Sequence, residues 1–314
     1  MKKSLIFIAT ISIGFLIACG SNVQAGIETT FLYSLSNFNG RIPINLATIS
    51  VDEERNEIYV ADMAEGLVRV FDDHGMEIYE FGDDGDLGKV VAVAVRDDGN
   101  IFVLTRGVAQ AALILCDFRG KPVSKLELKD LPADFSGFTP DRLFYRRGLL
   151  YLLDSNSARI VVTDSHGRVQ KSFDLLSLMG VAGDKRGVTV ISGFSVDRQG
   201  NILFTVPVLF HAFRLTPEGE LTSFGTRGSS PGTFNLAVGI VSDDRGYYYV
   251  ADKLKSAILV FDKNFGFIKQ FGYRGSRPGN LIGPQNLAVD ANGRLYVSQL
   301  ANRGVSVFNI TFKE

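Results

Sequence analysis

The sequence has no tryptophan, only two cysteines and three histidines, and almost no net charge. Each shortage removes a class of protein. Thirty-three basic against 34 acidic side chains leave a formal charge of -1, so there is no broad positive field to hold a nucleic-acid backbone. Cys19 falls in an N-terminal segment expected to be lipidated or removed, which leaves Cys116 alone and excludes an intramolecular disulfide. Cys116 ends the apolar run Leu113-Ile114-Leu115-Cys116 and reads as a small buried hydrophobe rather than a nucleophile. With 21% charged and 46% hydrophobic residues, a chain of 314 is too apolar for disorder and long enough to bury a substantial core. The abundant residues are 33 Gly, 24 Phe and 10 Tyr, the composition of strands punctuated by turns.

Residues 1–25 stand apart from that body. Lys2 and Lys3 precede an apolar run over residues 5–18, interrupted only by Thr10, Ser12 and Gly14, the basic-then-apolar pattern of an export signal. The run ends in Leu16-Ile17-Ala18-Cys19, which resembles the lipobox of bacterial lipoproteins. That resemblance implies cleavage before Cys19 and acylation of its sulfur, with palmitate or a similar chain. More than one acyl chain would hold the protein to a membrane well beyond the marginal grip of a single chain. Ordinary cleavage after Val23-Gln24-Ala25 is the alternative and would discard Cys19. The apolar run is short for a transmembrane helix. Gly20-Ser21 follow the cysteine, without the aspartate that marks inner-membrane retention in enterobacteria. The expected location is therefore exported and lipid-anchored, at the outer membrane facing the periplasm in a host with two membranes.

From residue 46 onward the chain repeats itself. Phe224-Gly225-Thr226-Arg227-Gly228-Ser229-Ser230-Pro231-Gly232 returns 47 residues later as Phe271-Gly272-Tyr273-Arg274-Gly275-Ser276-Arg277-Pro278-Gly279, with seven identities in nine positions. Ile58-Tyr59-Val60, Ile101-Phe102-Val103, Leu150-Tyr151-Leu152, Ile202-Leu203-Phe204, Tyr248-Tyr249-Val250 and Leu295-Tyr296-Val297 superpose, their centres 43, 49, 52, 46 and 47 residues apart. A period of that size with four short β runs per unit fits propeller blades. Six units fit between residues 46 and 310, but the sixth stops after its third strand, at Phe308-Asn309-Ile310. Thr29-Thr30-Phe31-Leu32-Tyr33-Ser34-Leu35 has the alternation to supply the missing fourth strand and close the ring. The competing reading makes residues 26–45 a flexible tether. No long helix is expected, only a turn or two over residues 173–181 packed down by Leu176 and Leu178. The expected organisation is an anchor region over residues 1–25 and one all-β, six-bladed propeller over residues 26–314.

Asn286-Leu287-Ala288-Val289-Asp290-Ala291-Asn292-Gly293-Arg294-Leu295-Tyr296-Val297-Ser298 resembles an NHL repeat. So do residues 49–62, ending in Ile58-Tyr59-Val60-Ala61-Asp62, and residues 239–252. Downstream of those two segments, Val70-Phe71-Asp72 and Val260-Phe261-Asp262 also match that repeat. The likeness covers about residues 46–310. It is strong in units one, five and six, moderate in two and four, and weak in three, where Tyr145-Arg146-Arg147-Gly148 replaces the usual acidic turn. It implies a six-bladed propeller of the NHL kind, which is a scaffold and not a reaction.

Propellers related to these include a zinc-dependent lyase of peptidyl hydroxyglycine, whose channel metal needs several histidines. His74 and His166 occupy the same outer turn of different blades, too far apart to share a zinc ion. His211 lies in Val206-Pro207-Val208-Leu209-Phe210-His211-Ala212-Phe213, where other units carry polar loops. Phe210 and His211 there are candidates for an apolar lip at the channel face, against the plainer reading of a rebuilt loop packed on blade three. Calcium-dependent lactonases on this scaffold gather carboxylate and amide oxygens from several blades. Asp62, Asp154 and Asp252 end equivalent second strands, and Asp141 and Asn286 begin inner strands near the axis, so oxygen ligands could share one face. Loop capping competes as a role for the aspartates. Gly228-Ser229-Ser230-Pro231-Gly232 has the Gly-x-Ser-x-Gly spacing, but the segment does not lead into a helix, so it is not a nucleophile elbow, and without a Lys-Ser/Thr ending it is not a phosphate loop. The expectation is a noncatalytic protein- or peptide-binding propeller in the bacterial cell envelope, without a cofactor. The alternative is a lactonase-like hydrolase or lyase using calcium or another metal at an acidic channel mouth.

Overall fold

The computed structural model describes residues 26–44, 47–83, 85–107 and 111–313; the candidate export segment and Cys19 lie outside the described residues. Six four-stranded antiparallel sheets follow one another around a central axis. Blade five shows the plan: Ala237–Ser242 innermost, then Tyr248–Asp252, Ala257–Phe261 and outermost Phe267–Phe271. Its second and third strands are buried at every residue, because neighbouring blades cover both of their faces. Outer strands see solvent instead, and Pro122–Leu126 of blade two is exposed at four of its five residues.

The apolar residues divide into six clusters, and each cluster joins two adjacent blades. The interior is thus a circle of wedges around an axis, with no single central core. The wedge between blades four and five is aromatic, Phe224 packing against Phe234, Tyr248, Phe261 and Phe265 at centroid distances of 4.6–6.4 Å. The duplicated nine-residue motif explains itself here. Each copy forms a loop that folds back to bury an apolar plug, Phe234 or Leu281, both at 0% exposure. Phe234 N–H donates to the Thr226 carbonyl at 2.7 Å, and Leu281 N–H to the Tyr273 carbonyl at 3.1 Å. Arg274 and Arg277 project into solvent.

Gly26–Ser34 is the outer strand of blade six. It pairs antiparallel with Val305–Lys313, from Gly26 opposite Lys313 to Ser34 opposite Ser306, with one bulge between Phe31 and Tyr33. The third strand of blade six therefore runs three residues past Ile310, and the last residues of the chain lengthen the seam. The tether reading of residues 26–45 does not hold. Ile27 is buried in the wedge with blade five, and Leu35, Ile42 and Ile44 in the wedge with blade one. Beyond the strand, Ser36 N–H donates to the Gly75 carbonyl of blade one at 2.9 Å. Lys129 N–H, after the outer strand of blade two, donates to Gly167 of blade three at 2.8 Å, so the N-terminal strand meets the next blade as a resident outer strand does.

The helical turn is Leu175–Leu178, capped by the Asp174 carboxylate on the Ser177 amide. Leu175 and Leu176 anchor it, whereas Leu178 is exposed, so the packing pair is shifted from the expected one. A second short helix follows at Gly183–Arg186.

Candidate functional site

Asp62, Asp154 and Asp252 sit where expected, at the ends of second strands, and all three are buried. Asp62 Oδ1 accepts the amides of Ala64 and Glu65, and Asp154 Oδ1 those of Asn156 and Ser157. Asp252 Oδ1 accepts from Lys255. In two of them the other oxygen reaches the segment that leads into the same blade: Asp154 Oδ2 accepts Thr139 N–H at 3.1 Å, and Asp252 Oδ2 accepts Asn235 and Leu236 N–H at 2.6 and 3.1 Å, whereas Asp62 Oδ2 lies 3.8 Å from Arg69 Nε. One side chain thereby folds its own loop and clips the incoming chain to it, which explains why the repeat carries an aspartate there. In blade six Gln299 replaces it, its Oε1 accepting Ile282 N–H and its Nε2 donating to Ser306 Oγ.

Asp141 and Asn286 are occupied in a similar way. Asp141 Oδ1 accepts Ser155 N–H at 2.9 Å and its Oδ2 pairs with Arg142. Asn286 Nδ2 donates to the Ala47 carbonyl at 2.7 Å, tying blade six to blade one. Among the described residues, the one group of three His, Cys, Asp or Glu side chains with ligating atoms within 4.8 Å of one another is Asp72, Asp73 and His74. It lies on the outer rim, in the hairpin between the third and fourth strands of blade one. His166 occupies the matching hairpin of blade three. Cys116 is buried in a third strand, and burial pushes its thiol up to about 12.

The apolar stretch of blade four forms a 3-10 turn at Pro207–Leu209, and Phe210 follows with φ +57°. Leu209 packs toward blade three and Phe210 toward blade five, where the Arg227 guanidinium lies 5.0 Å from its ring centre. His211 Nδ1 donates to the Leu209 carbonyl at 2.5 Å. The residue left in solvent is Val208, joined by Val188 and Val190 from the long connection between blades three and four. These three valines edge a recess of about 360 Å³ floored by Arg142, Ser155 and Ile191.

A second feature lies on the axis. Where the inner strands begin, the glycines of blades four and five admit no side chain. A Cβ at Gly193 would stand 2.9 Å from the Val238 carbonyl oxygen, and one at Gly239 would run into the Gln285 carbonyl. Toward the other end all six inner strands line a cavity of about 70 Å³, through Val51, Val95, Leu143, Val196, Val241 and Val289 among others. Glu53, Arg146, Arg198 and Asp244 gather at its mouth. Arg198 of blade four pairs with Asp244 of blade five and, across the ring, with Glu53 of blade one at 2.8 Å. Sequence reasoning missed this mouth because its residues occupy turns that look like ordinary polar punctuation. The one signal was the departure of Tyr145-Arg146-Arg147-Gly148 from the repeat.

No protein-family model matches the chain, and no curated protein matches it. Solved structures do. A Bacteroides thetaiotaomicron protein of unknown function is 14% identical, with 91% of this chain and 77% of that chain covered at a TM-score of 0.64. A gluconolactonase from Xanthomonas campestris is 13% identical, covering 91% and 90% at 0.58. The calcium-binding protein regucalcin from Agrobacterium tumefaciens is 15% identical, covering 88% and 95% at 0.59. At such identities the shared property is the six-bladed propeller itself.

Replacing Asp252 by alanine would leave three backbone amides without their acceptor, at a cost of at least about 3 kcal/mol in chemical denaturation. A loss below about 1 kcal/mol would show that capping is not what this carboxylate does.

Proposed function

We propose that the protein is a noncatalytic binding propeller, tethered through Cys19 to a bacterial envelope membrane, that receives a protein or peptide beside the axis on the face where the inner strands begin. The observation that carries this reading is the contrast on that face. Val188, Val190 and Val208 are exposed around an open recess, while Asp62, Asp141, Asp154 and Asp252 are already bonded to backbone amides. Exposed apolar side chains grouped around a concavity favour a partner with apolar residues of its own. A rigid ring presenting loops at fixed spacing suits recognition, and catalysis would require free groups aimed at one point.

The metal-dependent alternative shares its scaffold with the gluconolactonase and regucalcin neighbours. For Asp62, Asp154 and Asp252 to serve as calcium ligands, they would have to loosen the bonds that fold their own loops. Calcium should therefore leave the melting temperature unchanged.

Affinity capture from detergent-solubilised membranes should recover a specific partner with the parent protein, and Val208→Asp together with Val188→Asp should abolish that recovery. Equal recovery with the double variant, or turnover of a lactone or ester by the purified parent, would defeat the reading. The tether is tested separately. A labelled fatty acid should mark the parent chain and not Cys19→Ser, and equal label in both would remove Cys19 as the attachment point.

A further inference from the structure

The turn between the first and second strands is rebuilt in blade three. In blades four, five and six it is folded by Asp197, Asp243 and Asp290, whose Oδ1 atoms accept amides two and four residues ahead at 2.8–3.0 Å. Arg146 stands at that position in blade three, opposite Leu149, and the hydroxyl of Tyr145 before it donates to Asp97 of blade two at 3.1 Å. Without the carboxylate the turn shrinks to Arg147 and Gly148, at φ +50° and +77°. A two-residue turn with both φ values positive matches the twist of its flanking strands, so the inner strand continues to Arg146, paired with Leu149. Arg146 is thereby held on a strand, on the wall of the axial cavity.

What this arginine lacks is a partner. Among the described residues, six arginines bury an Nε without a hydrogen bond: Arg69, Arg96, Arg142, Arg146, Arg214 and Arg303. Arg69, Arg96 and Arg142 pair with carboxylates, Arg303 donates to the Ser276 carbonyl, and Arg214 lies over the Phe265 ring at 5.1 Å. Arg146 lies 5.4 Å from the Phe144 ring centre, and no ion pair with it is found among the described residues. Burial lowers its pKa from the ordinary arginine value, and Glu53, the acid that opposes this most, is already held by Arg198. A second unmet group belongs to a residue that lines the same space. Ser195, 3% exposed, lines the cavity with an Oγ that has no partner. The six inner strands also turn an unpaired backbone edge toward the axis, since each pairs on one side only.

We propose that this axial cavity binds a small carboxylate-bearing molecule, its carboxylate on Arg146 and its polar body reaching Ser195 and the open strand edges. A planar guanidinium matches a carboxylate with two parallel hydrogen bonds and is the side chain best suited to holding one away from water. A volume of about 70 Å³ has room for roughly five waters, which limits the ligand to a few carbon atoms. The mouth lies at the end of the axis opposite the valine-edged recess, so this site stands or falls independently of peptide binding there.

The test is calorimetric titration of the full-length protein in non-ionic detergent with acetate, lactate and succinate, and with inorganic phosphate as a non-planar comparator. At least one carboxylate should bind one-to-one and raise the melting temperature. Arg146→Gln should weaken that binding by about tenfold or more, and Arg146→Lys by less, because a point charge keeps the attraction and loses the fork. If Arg146→Gln does not fold, Ser195→Ala decides. It should melt like the parent and bind a few-fold more weakly. No saturable heat from any of the three carboxylates at millimolar concentration would overturn the proposal. So would phosphate binding as tightly as the best carboxylate, or unchanged affinity in the variants.

Discussion

Closure of the ring by one antiparallel seam, Gly26–Ser34 against Val305–Lys313, is the constraint on which the rest depends. Each of the six apolar wedges needs two blades to bury it. A row of blades left open would expose two wedge faces and an unpaired strand edge together. The seam joins the two ends of the described chain, so it is the contact that turns a row of blades into a ring. Ile27 and Phe31 on one side and Leu35 on the other couple it to the wedges with blades five and one.

The periodicity was open to reading because each blade repeats the same physical task. A second strand covered on both faces must be apolar, and the aspartate that ends it folds the loop that follows, so Val-Ala-Asp returns at Asp62 and Asp252. Strand counting exposed the missing fourth strand of blade six, and the alternation of Phe31, Tyr33 and Leu35 pointed to its donor. The length of the seam was not legible. The repeat ends the third strand at Ile310, and nothing local shows that a partner strand 280 or so residues away extends to meet Thr311-Phe312-Lys313.

The candidate sites lie where the repeat is broken. Blade four loses the capping aspartate, keeps Val206 in its place, and turns through Pro207 to leave Val208 in solvent. Blade three loses the turn aspartate, tightens the hairpin, and holds Arg146 against the axis. A sequence shows such breaks but not what they face, because Glu53, Arg146, Arg198 and Asp244 come together only when the ring closes. Aspartates conspicuous in the repeat are for the same reason poor candidates for chemistry: where one is present, it is taken up in folding its own loop.

Hydrogen exchange of individual amides tests the closure most directly. The account predicts that the bonded amides of residues 26–34 exchange as slowly as those of the ordinary outer strand Phe267–Phe271, and that both open together with the ring. Exchange of residues 26–34 at the rate of an unstructured chain, with Phe267–Phe271 still protected, would contradict it.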